Sequence, residues 1–261
     1  MDLHLADKTA VVTGASKGIG LAVVERLVAE GARVVAGARS ISPELEELVA
    51  GGEVSFFAVD LSTPDGPGEL VRHAVESGGV DIVVNNVGAV APRPDGFASV
   101  SDAAWEQSIN LTLLAAVRTI RAALPELIRR GGGSIVTISS VNASLPDPLV
   151  IDYSAAKAAL SNFSKSLSKE VGAAGIRVNT ISPGPVATAL WLGTGGVAQT
   201  VAHAGGGSPE EVAAAAAAAS VTGRFTKPEE VADLVAVLAS DRFGNVTGAD
   251  FRIDGGLVQT L

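Results

Sequence analysis

A tyrosine and a lysine stand four positions apart in the segment IDYSAAKAAL, residues 151–160. Positions i and i+4 project from the same face of a helix, so Tyr153 and Lys157 are predicted to be neighbours. A nearby ammonium group favours the phenolate and lowers the pKa of a phenol from its ordinary value of about 10. Such a tyrosine can donate a proton to a carbonyl oxygen or accept one from an alcohol. A surface pair on a helix has the same spacing, so the assignment needs support from other residues.

Three further polar residues supply that support. Ser139 and Ser140 end a predicted strand just upstream of Tyr153. Ligands of a parallel α/β sheet bind beyond the carboxyl ends of its strands, so we expect a serine hydroxyl at the same edge as the tyrosine. Asn110 falls inside a predicted long helix, where asparagine is intrinsically unfavourable. A buried Asn110 is therefore expected to hold a water molecule or a helix carbonyl in a polar network.

The segment TGASKGIG, residues 13–20, follows a predicted strand and opens a predicted helix. Gly14, Gly18 and Gly20 allow a tight turn and the close approach of a pyrophosphate, to which the helix N-terminus offers free N–H groups. An ordinary tight turn is the alternative, but the position between strand and helix favours a nucleotide site. A phosphate loop of the Walker type would end in Gly-Lys-Ser/Thr, which is absent here. Dinucleotide binding is therefore favoured over nucleotide hydrolysis.

The end of the second predicted strand bears on the choice of dinucleotide. NAD sites usually carry an acidic residue about 20 positions after the glycine-rich loop. This chain instead has Gly37, Ala38 and Arg39 at that point. The planar guanidinium of Arg39 suits a 2′-phosphate, and Lys17 adds a second positive charge. The residues predict NADP(H) rather than NAD(H), the alternative being two unrelated surface cations.

Short β-branched runs alternate with longer helical patterns along the chain. Most of the runs are continuously apolar, as expected of strands that are covered on both faces. Repeated β-α-β units predict one α/β domain over residues 1–261, with a doubly wound parallel sheet of about seven strands. The predicted strands are 8–14, 32–37, 53–60, 80–86, 133–140, 175–182 and 250–256. The predicted helices are 18–30, 43–50, 68–77, 101–130, 152–173 and 228–239.

Residues 189–223 interrupt this alternation. Glycines at 195–196 and 205–207 flank an alanine-rich segment, for which Ser208 and Pro209 form a favourable helix start. A long excursion with glycine hinges is typical of a substrate lid or mobile loop.

The same segment indicates the character of the substrate. No lysine or arginine occurs between Arg177 and Arg224, whereas Leu190, Trp191 and Leu192 are apolar. We expect a largely apolar pocket for a neutral ketone or alcohol, with core packing as the alternative role for Trp191.

The composition excludes several classes of function. A net charge of −9 disfavours nucleic acids and anionic membranes as partners. The absence of cysteine excludes disulfides, thiolate catalysis and cysteine metal sites, and the three widely separated histidines predict no metal site. The sequence has neither an N-terminal signal pattern nor an apolar run of the roughly 20 residues that a membrane span needs, so a cytoplasmic protein is expected.

Several motifs occur together in order along the chain: TGASKGIG, NNVG (85–88), SS, YSAAK, RVNTISPGPVAT (177–188) and TGADFRIDGG (247–256). Taken together, they resemble the short-chain dehydrogenase/reductase family, and in particular its single-domain 3-oxoacyl-carrier-protein reductases and carbonyl reductases. The resemblance implies a Rossmann-like fold and hydride transfer between a nicotinamide and a ketone or secondary alcohol. Val87 stands where the family usually has alanine, a small change.

The resemblance also implies roles for individual residues. Tyr153 would be the general acid/base, and Ser140, thirteen residues earlier, would orient the substrate carbonyl. Lys157 would hold the nicotinamide ribose and lower the Tyr153 pKa, and Asn110 would anchor a water in a proton relay to Lys157. The implied cofactor site consists of Gly14, Ser16, Lys17, Gly18, Ile19, Gly20, Arg39, Asp60, Leu61, Asn86, Gly88, Tyr153, Lys157, Pro183, Gly184, Val186 and Thr188.

The motifs also suit three functions besides a carbonyl reductase. A 3-oxoacyl-thioester reductase would need a basic docking patch, for which Arg129 and Arg130 are candidates, although such a pair also suits a solvated helix C-terminus. An NAD-linked alcohol dehydrogenase or a non-catalytic, cofactor-sensing protein would have the same fold. The family suggests a homotetramer that pairs helices 101–130 and 152–173 and packs the last strand.

Overall fold

The computed structural model describes residues 2–260, in which seven parallel strands form one sheet in the order β3-β2-β1-β4-β5-β6-β7. The chain runs outward from β1 to one edge and then returns to begin β4 on the other side of β1. The loops after β1 and β4 therefore diverge, which opens a cleft at the carboxyl edge of the sheet. The strands are β1 Thr9–Thr13, β2 Arg33–Ala38, β3 Val54–Ala58, β4 Ile82–Asn85, β5 Gly133–Ile138, β6 Ile176–Pro183 and β7 Asp250–Ile253.

Helices cover both faces of this sheet. They are α1 Gly18–Ala29, α2 Pro43–Gly51, α3 Gly66–Glu76, α4 Asp102–Ile109, α5 Ala115–Arg129, α6 Ile151–Val171, α7 Ala189–Leu192, α8 Val197–Gly205, α9 Pro209–Ala218 and α10 Pro228–Ala239. The doubly wound parallel sheet predicted from the sequence is thus confirmed, and most element ends differ from the prediction by one or two residues.

The alternation of side chains along β1 explains why its sequence is continuously apolar. Ala10 and Val12 belong to a core that α1, α2 and α10 cover, whereas Val11 belongs to a second core beneath α3, α5 and α6. Successive strand residues point to opposite faces, and both faces are buried.

The predicted single helix over 101–130 is interrupted. A π-helical turn, Asn110–Leu114, separates α4 from α5, and the Ala115 N–H donates to the Asn110 carbonyl across it. Such turns occur frequently at functional sites. The expectation that Asn110 lies within a regular helix is therefore wrong, because the turn begins at that residue.

The excursion at 189–223 contains three helices instead of the one predicted. The alanine-rich helix α9 begins as expected: the Ser208 hydroxyl accepts from the Glu211 N–H at 3.1 Å, and the Glu211 carboxylate accepts from the Ser208 N–H at 3.0 Å. Helices α7 and α8 were missed because they are short and lie between glycines. Within residues 2–260, no helix combines the length and apolarity that crossing a membrane requires.

Candidate active site

Helix α6 places Tyr153 and Lys157 beside the end of β5. The Lys157 Nζ lies 5.6 Å from the centre of the Tyr153 ring and donates to the Ile138 carbonyl at 2.6 Å. Lys157 is only 3% exposed, and a Cβ added to Gly88, after β4, would lie 3.6 Å from its Nζ. The tyrosine and the lysine, which their spacing predicts to be neighbours, therefore do lie together at the carboxyl edge of the sheet.

Burial governs the protonation of both residues. It lowers the pKa of Lys157 to about 7 and raises the pKa of Tyr153, an effect that the nearby Ser140 hydroxyl partly offsets. Desolvation is the largest influence on the phenol, so the net shift of the Tyr153 pKa is upward in this structure.

The lowered Lys157 pKa predicts a pH-dependent stability. An unfolded lysine binds its proton below about pH 10.5, whereas the folded one does so only below about pH 7. Between these values the unfolded state holds more protons, so wild type should gain stability relative to Lys157→Met as pH rises, by up to about 1.4 kcal/mol per pH unit. Denaturant unfolding of both proteins across this range measures the difference. A constant difference would contradict the assignment.

Ser140 follows β5 and is bonded to a residue that the sequence did not single out. Its hydroxyl donates to the Asn142 Oδ1 at 3.1 Å and accepts from the Asn142 N–H at 3.2 Å. The hydroxyl proton of Ser140 is therefore engaged by Asn142 in this structure. The hydroxyl of Ser139 instead bonds that of Ser161 at 2.6 Å, which agrees with the choice of Ser140.

Asn110 has a different set of partners from the one expected. Its amide nitrogen donates to the Ser62 carbonyl at 2.6 Å, and its Oδ1 accepts from Arg118 at 2.7 Å. The side chain thus ties the π-helical turn to the loop after β3. Within residues 2–260, no hydrogen bond joins this amide to Lys157.

The glycine-rich loop has little room for side chains. Gly14 and Gly18 have φ of 66° and 55°, in the left-handed region that favours glycine. A Cβ at Gly20 would overlap the Gly14 carbonyl oxygen and lie 2.6 Å from the Asn86 Nδ2. That amide donates to the Thr13 and Gly14 carbonyls at 3.0 and 3.1 Å, which fixes the loop against the end of β4. Ser16 and Ile19 are partly buried in the same loop.

The segment after β6 reaches this loop from the other side. A Cβ at Gly18 would lie 3.2 Å from the Thr188 side chain. Val186 is buried and forms a parallel bridge with Thr226, and the Gly184 N–H donates to the Ile253 carbonyl after Pro183 ends the strand. The structure therefore brings together the two separate parts of the chain that the sequence assigned to the cofactor.

The residues assigned to the adenosine end surround the end of β2. Asp60 accepts from the Ser62 hydroxyl and N–H at 2.7 and 2.9 Å, which lowers its pKa, and the charge of Arg39 lowers it further. Arg39 and Lys17 are exposed, whereas Leu61 is buried. Both cations are accessible from solvent near the glycine-rich loop.

The family model described as short chain dehydrogenase matches residues 8–194. The chain belongs to the short-chain dehydrogenase family. The family resemblance that the motifs indicated is therefore confirmed. Members of this family are oxidoreductases.

Relatives of this short-chain dehydrogenase differ in substrate. L-Sorbose reductase from Gluconobacter frateurii, solved as a complex with NADPH and L-sorbose, superposes with a TM-score of 0.91 at 35% identity over 100% of both chains. Acetoacetyl-CoA reductase of Allochromatium vinosum is 33% identical over 96% of this chain and 98% of its own. 3β-Hydroxysteroid dehydrogenase 1 of Eggerthella lenta is 35% identical over 97% of this chain and 94% of its own.

Apolar side chains are exposed on three loops at the carboxyl edge of this dehydrogenase. Leu190 and Leu192 are 49% and 52% exposed, and Phe97 and Leu145 lie on the loops after β4 and β5. Trp191 instead packs edge-on against Phe225, with ring centres 5.4 Å apart. Packing is therefore an observed role of Trp191, while the two leucines beside it are exposed.

The proposed docking pair at the end of α5 is engaged elsewhere. Arg130 bonds both carboxylate oxygens of Asp81 at 2.8 and 3.0 Å, and Arg129 bonds both of Glu126 at 2.7 Å. Asp81 immediately precedes β4, so the pair lies at the amino edge of the sheet, opposite Tyr153. A carrier docked on these arginines would therefore lie at the edge of the sheet opposite Tyr153 of the same chain.

Proposed function

We propose that this protein is an NADP(H)-dependent reductase that transfers a hydride between a nicotinamide and a ketone or secondary alcohol. The observation that carries the proposal is the meeting of Tyr153, Lys157 and Ser140 at the carboxyl edge, next to a glycine-rich loop at the same edge. A non-catalytic sensor would have no need for a buried lysine against a partly buried phenol. The family membership supports the same conclusion.

The residues present fit a nicotinamide dinucleotide. Gly14, Gly18 and Gly20 keep the start of α1 clear of side chains, so a pyrophosphate can approach its free N–H groups. Lys157 and Tyr153 would hold the nicotinamide ribose, and the segment 183–188 would hold the nicotinamide. The bound cofactor supplies the hydride, and the protein supplies the proton and the alignment.

Tyr153 would handle the proton. Because burial raises its pKa, the phenol stays protonated at neutral pH and is ready to donate to a carbonyl oxygen as negative charge develops there. Ser140 would donate a second hydrogen bond to that oxygen in place of its bond to Asn142. Lys157, with a pKa of about 7, can return a proton toward the phenol between turnovers.

Asn110 has a more restricted role in this proposal. Its amide nitrogen donates to the Ser62 carbonyl and its Oδ1 accepts from Arg118, and neither bond reaches Lys157. We therefore assign the side chain to shaping the π-helical turn that begins at Asn110.

Cofactor selectivity provides one prediction. Arg39→Ala should weaken NADPH binding about 10- to 100-fold and leave NADH binding unchanged, because a charge-assisted bond to the 2′-phosphate is lost. Fluorescence titration of both cofactors measures this. Arg33→Ala is the matched control, since Arg33 is exposed at the opposite end of the same strand. Equal binding of the two cofactors by wild type would favour the NAD-linked alternative.

The substrate is proposed to be a neutral ketone that contacts the exposed apolar side chains of the edge loops. We infer that 189–223 acts as a lid, because α7 leaves the site directly after Thr188 and presents Leu190 and Leu192 to solvent. A homotetramer remains the expectation from the resemblance, and a cytoplasmic location remains the expectation from the sequence.

An acyl thioester is the second candidate substrate, supported by the similarity to acetoacetyl-CoA reductase. The test is oxidation of NADPH in the presence of simple aliphatic and cyclic ketones, a polyhydroxy ketone and acetoacetyl-CoA. If NADPH is oxidised fastest with the free ketones, the main proposal is supported. If it is oxidised fastest with acetoacetyl-CoA, the second candidate is supported. NADPH binding without turnover across the panel would favour a cofactor-sensing protein.

A further inference from the structure

A buried ion pair adjoins the proposed general acid. Asp152, the residue before Tyr153, is 1% exposed, and Arg93 contacts both of its carboxylate oxygens, with Nη2 to Oδ2 at 2.6 Å and Nε to Oδ1 at 3.3 Å. The two partners are 59 positions apart in the sequence. This two-point geometry orients a guanidinium and a carboxylate more tightly than a single contact does.

The carboxylate occupies the first turn of α6. Val150 precedes this helix and provides no side-chain cap, so the first N–H groups need another partner. The N–H groups of Asp152 and Tyr153 face the Asp152 carboxylate. Burial alone would raise the pKa of Asp152, but Arg93 and these N–H groups hold it below its ordinary value. The charged carboxylate thus stabilises the turn that carries Tyr153.

Arg93 also fixes a loop at the catalytic edge. Its N–H donates to the Leu149 carbonyl at 2.6 Å, so both its backbone and its side chain bond the start of α6. Arg93 lies five residues after Gly88, which lies against Lys157. The loop after β4 therefore makes two contacts with this region: Gly88 lies against Lys157, and Arg93 bonds Leu149 and Asp152 at the start of α6.

We propose that Arg93 and Asp152 are positioning residues, whose ion pair sets the location of the Tyr153 hydroxyl and holds the loop after β4 as one wall of the substrate pocket. This inference rests on the proposed function of Tyr153. Neither residue touches the reacting atoms. Small displacements of a reacting group have large effects on rate, about 100-fold for a shift near 1 Å.

The test compares wild type with Arg93→Met, Asp152→Asn and the double variant. Turnover, KM for the ketone, NADPH affinity and melting temperature are measured for each. Arg93→Met leaves a buried carboxylate unpaired and should lower stability. It should also lower turnover at least about tenfold and raise KM, with NADPH affinity unchanged.

The double variant separates positioning from stability. It removes the unpaired charge, so the melting temperature should recover relative to Arg93→Met, whereas turnover should stay low because no side-chain bond any longer joins the loop to the helix. Recovery of turnover together with stability would overturn the proposal. Arg129→Met is the matched control: it breaks an equally bidentate pair with the buried Glu126 at the opposite edge, and should lower stability without lowering turnover.

Hydrogen exchange gives a readout that does not need turnover. In Arg93→Met and in the double variant, amides of the loop 89–100 and of the first turn of α6 should lose protection together, while α10 keeps its protection. Unchanged protection in both segments would overturn the proposal. If both variants lose this protection but the wild type reduces none of the substrates in the panel, the proposed function would be contradicted. The structural link between the loop and the helix would still be supported.

Discussion

Tyr153→Phe should lower turnover by about 100- to 10,000-fold, the usual contribution of a positioned general acid or base. The substitution removes one oxygen atom and keeps the ring beside Lys157, so NADPH affinity and melting temperature should change little. Steady-state oxidation of NADPH with a reducible ketone, together with a fluorescence titration of NADPH, measures both effects.

Ser139→Ala serves as the control for this experiment. It deletes a hydroxyl at the same edge of the sheet, but one that bonds Ser161 and not the phenol. Ser139→Ala should retain most of its turnover. Substantial residual turnover in Tyr153→Phe would remove the role assigned to Tyr153, and an equal loss in Ser139→Ala would show that the edge tolerates no hydroxyl deletion.

Gly20→Ala should have the second large effect. The added methyl group would overlap the Gly14 carbonyl oxygen and press on the Asn86 amide, so the loop must move away from the end of β4. Overpacking of this kind costs about 1–3 kcal/mol of stability. Because the same loop faces the pyrophosphate, NADPH affinity should fall together with stability. Denaturant unfolding and a binding titration measure the two losses.

Gly68→Ala is the matched control for Gly20→Ala. Gly68 also lies in the first turn of a helix, but nothing lies within 4 Å of an added Cβ. This variant should bind NADPH as wild type does and be at least as stable, since alanine is the better helix former. Wild-type cofactor affinity in Gly20→Ala would contradict the placement of the pyrophosphate at this loop.

The sheet could be predicted from the sequence because each strand carries its own local signal. Residues such as Val11 and Val12 form continuous apolar runs, and each run is followed by a helical pattern. The close neighbours Tyr153 and Lys157 could be predicted for the same reason, since four positions on a helix fix their relation. Glycines at 14, 18 and 20 marked a loop whose geometry leaves no space for side chains.

The contacts that arise from folding could not be predicted. Arg93 and Asp152 lie on a loop and a helix that meet only in the folded chain, and neither carried a motif. The side chain of Asn110 bonds Ser62, which lies 48 positions earlier in the chain, and Arg118 in the following helix. The one usable signal was the unfavourable asparagine itself, which marked the position but not its partners.

The protonation of the catalytic pair shows a further limit. Spacing on a helix indicates that an ammonium group and a phenol are close, but not how deeply they are buried. Here burial shifts the pKa of Lys157 down and that of Tyr153 up. Neither direction could be read from the spacing of the two residues.

The most direct test of the proposed hydride transfer follows an isotopic label from the cofactor to the product. NADPH carrying deuterium at C4 of the nicotinamide would be incubated with wild type and a ketone from the panel, and the alcohol analysed by mass spectrometry. We expect one deuterium on the carbinol carbon when C4 is labelled on one of its two faces, no deuterium when the other face is labelled, and little alcohol of any kind from Tyr153→Phe in the same time. An alcohol that lacks the label with both forms would show that no hydride passes directly from the nicotinamide to the carbonyl.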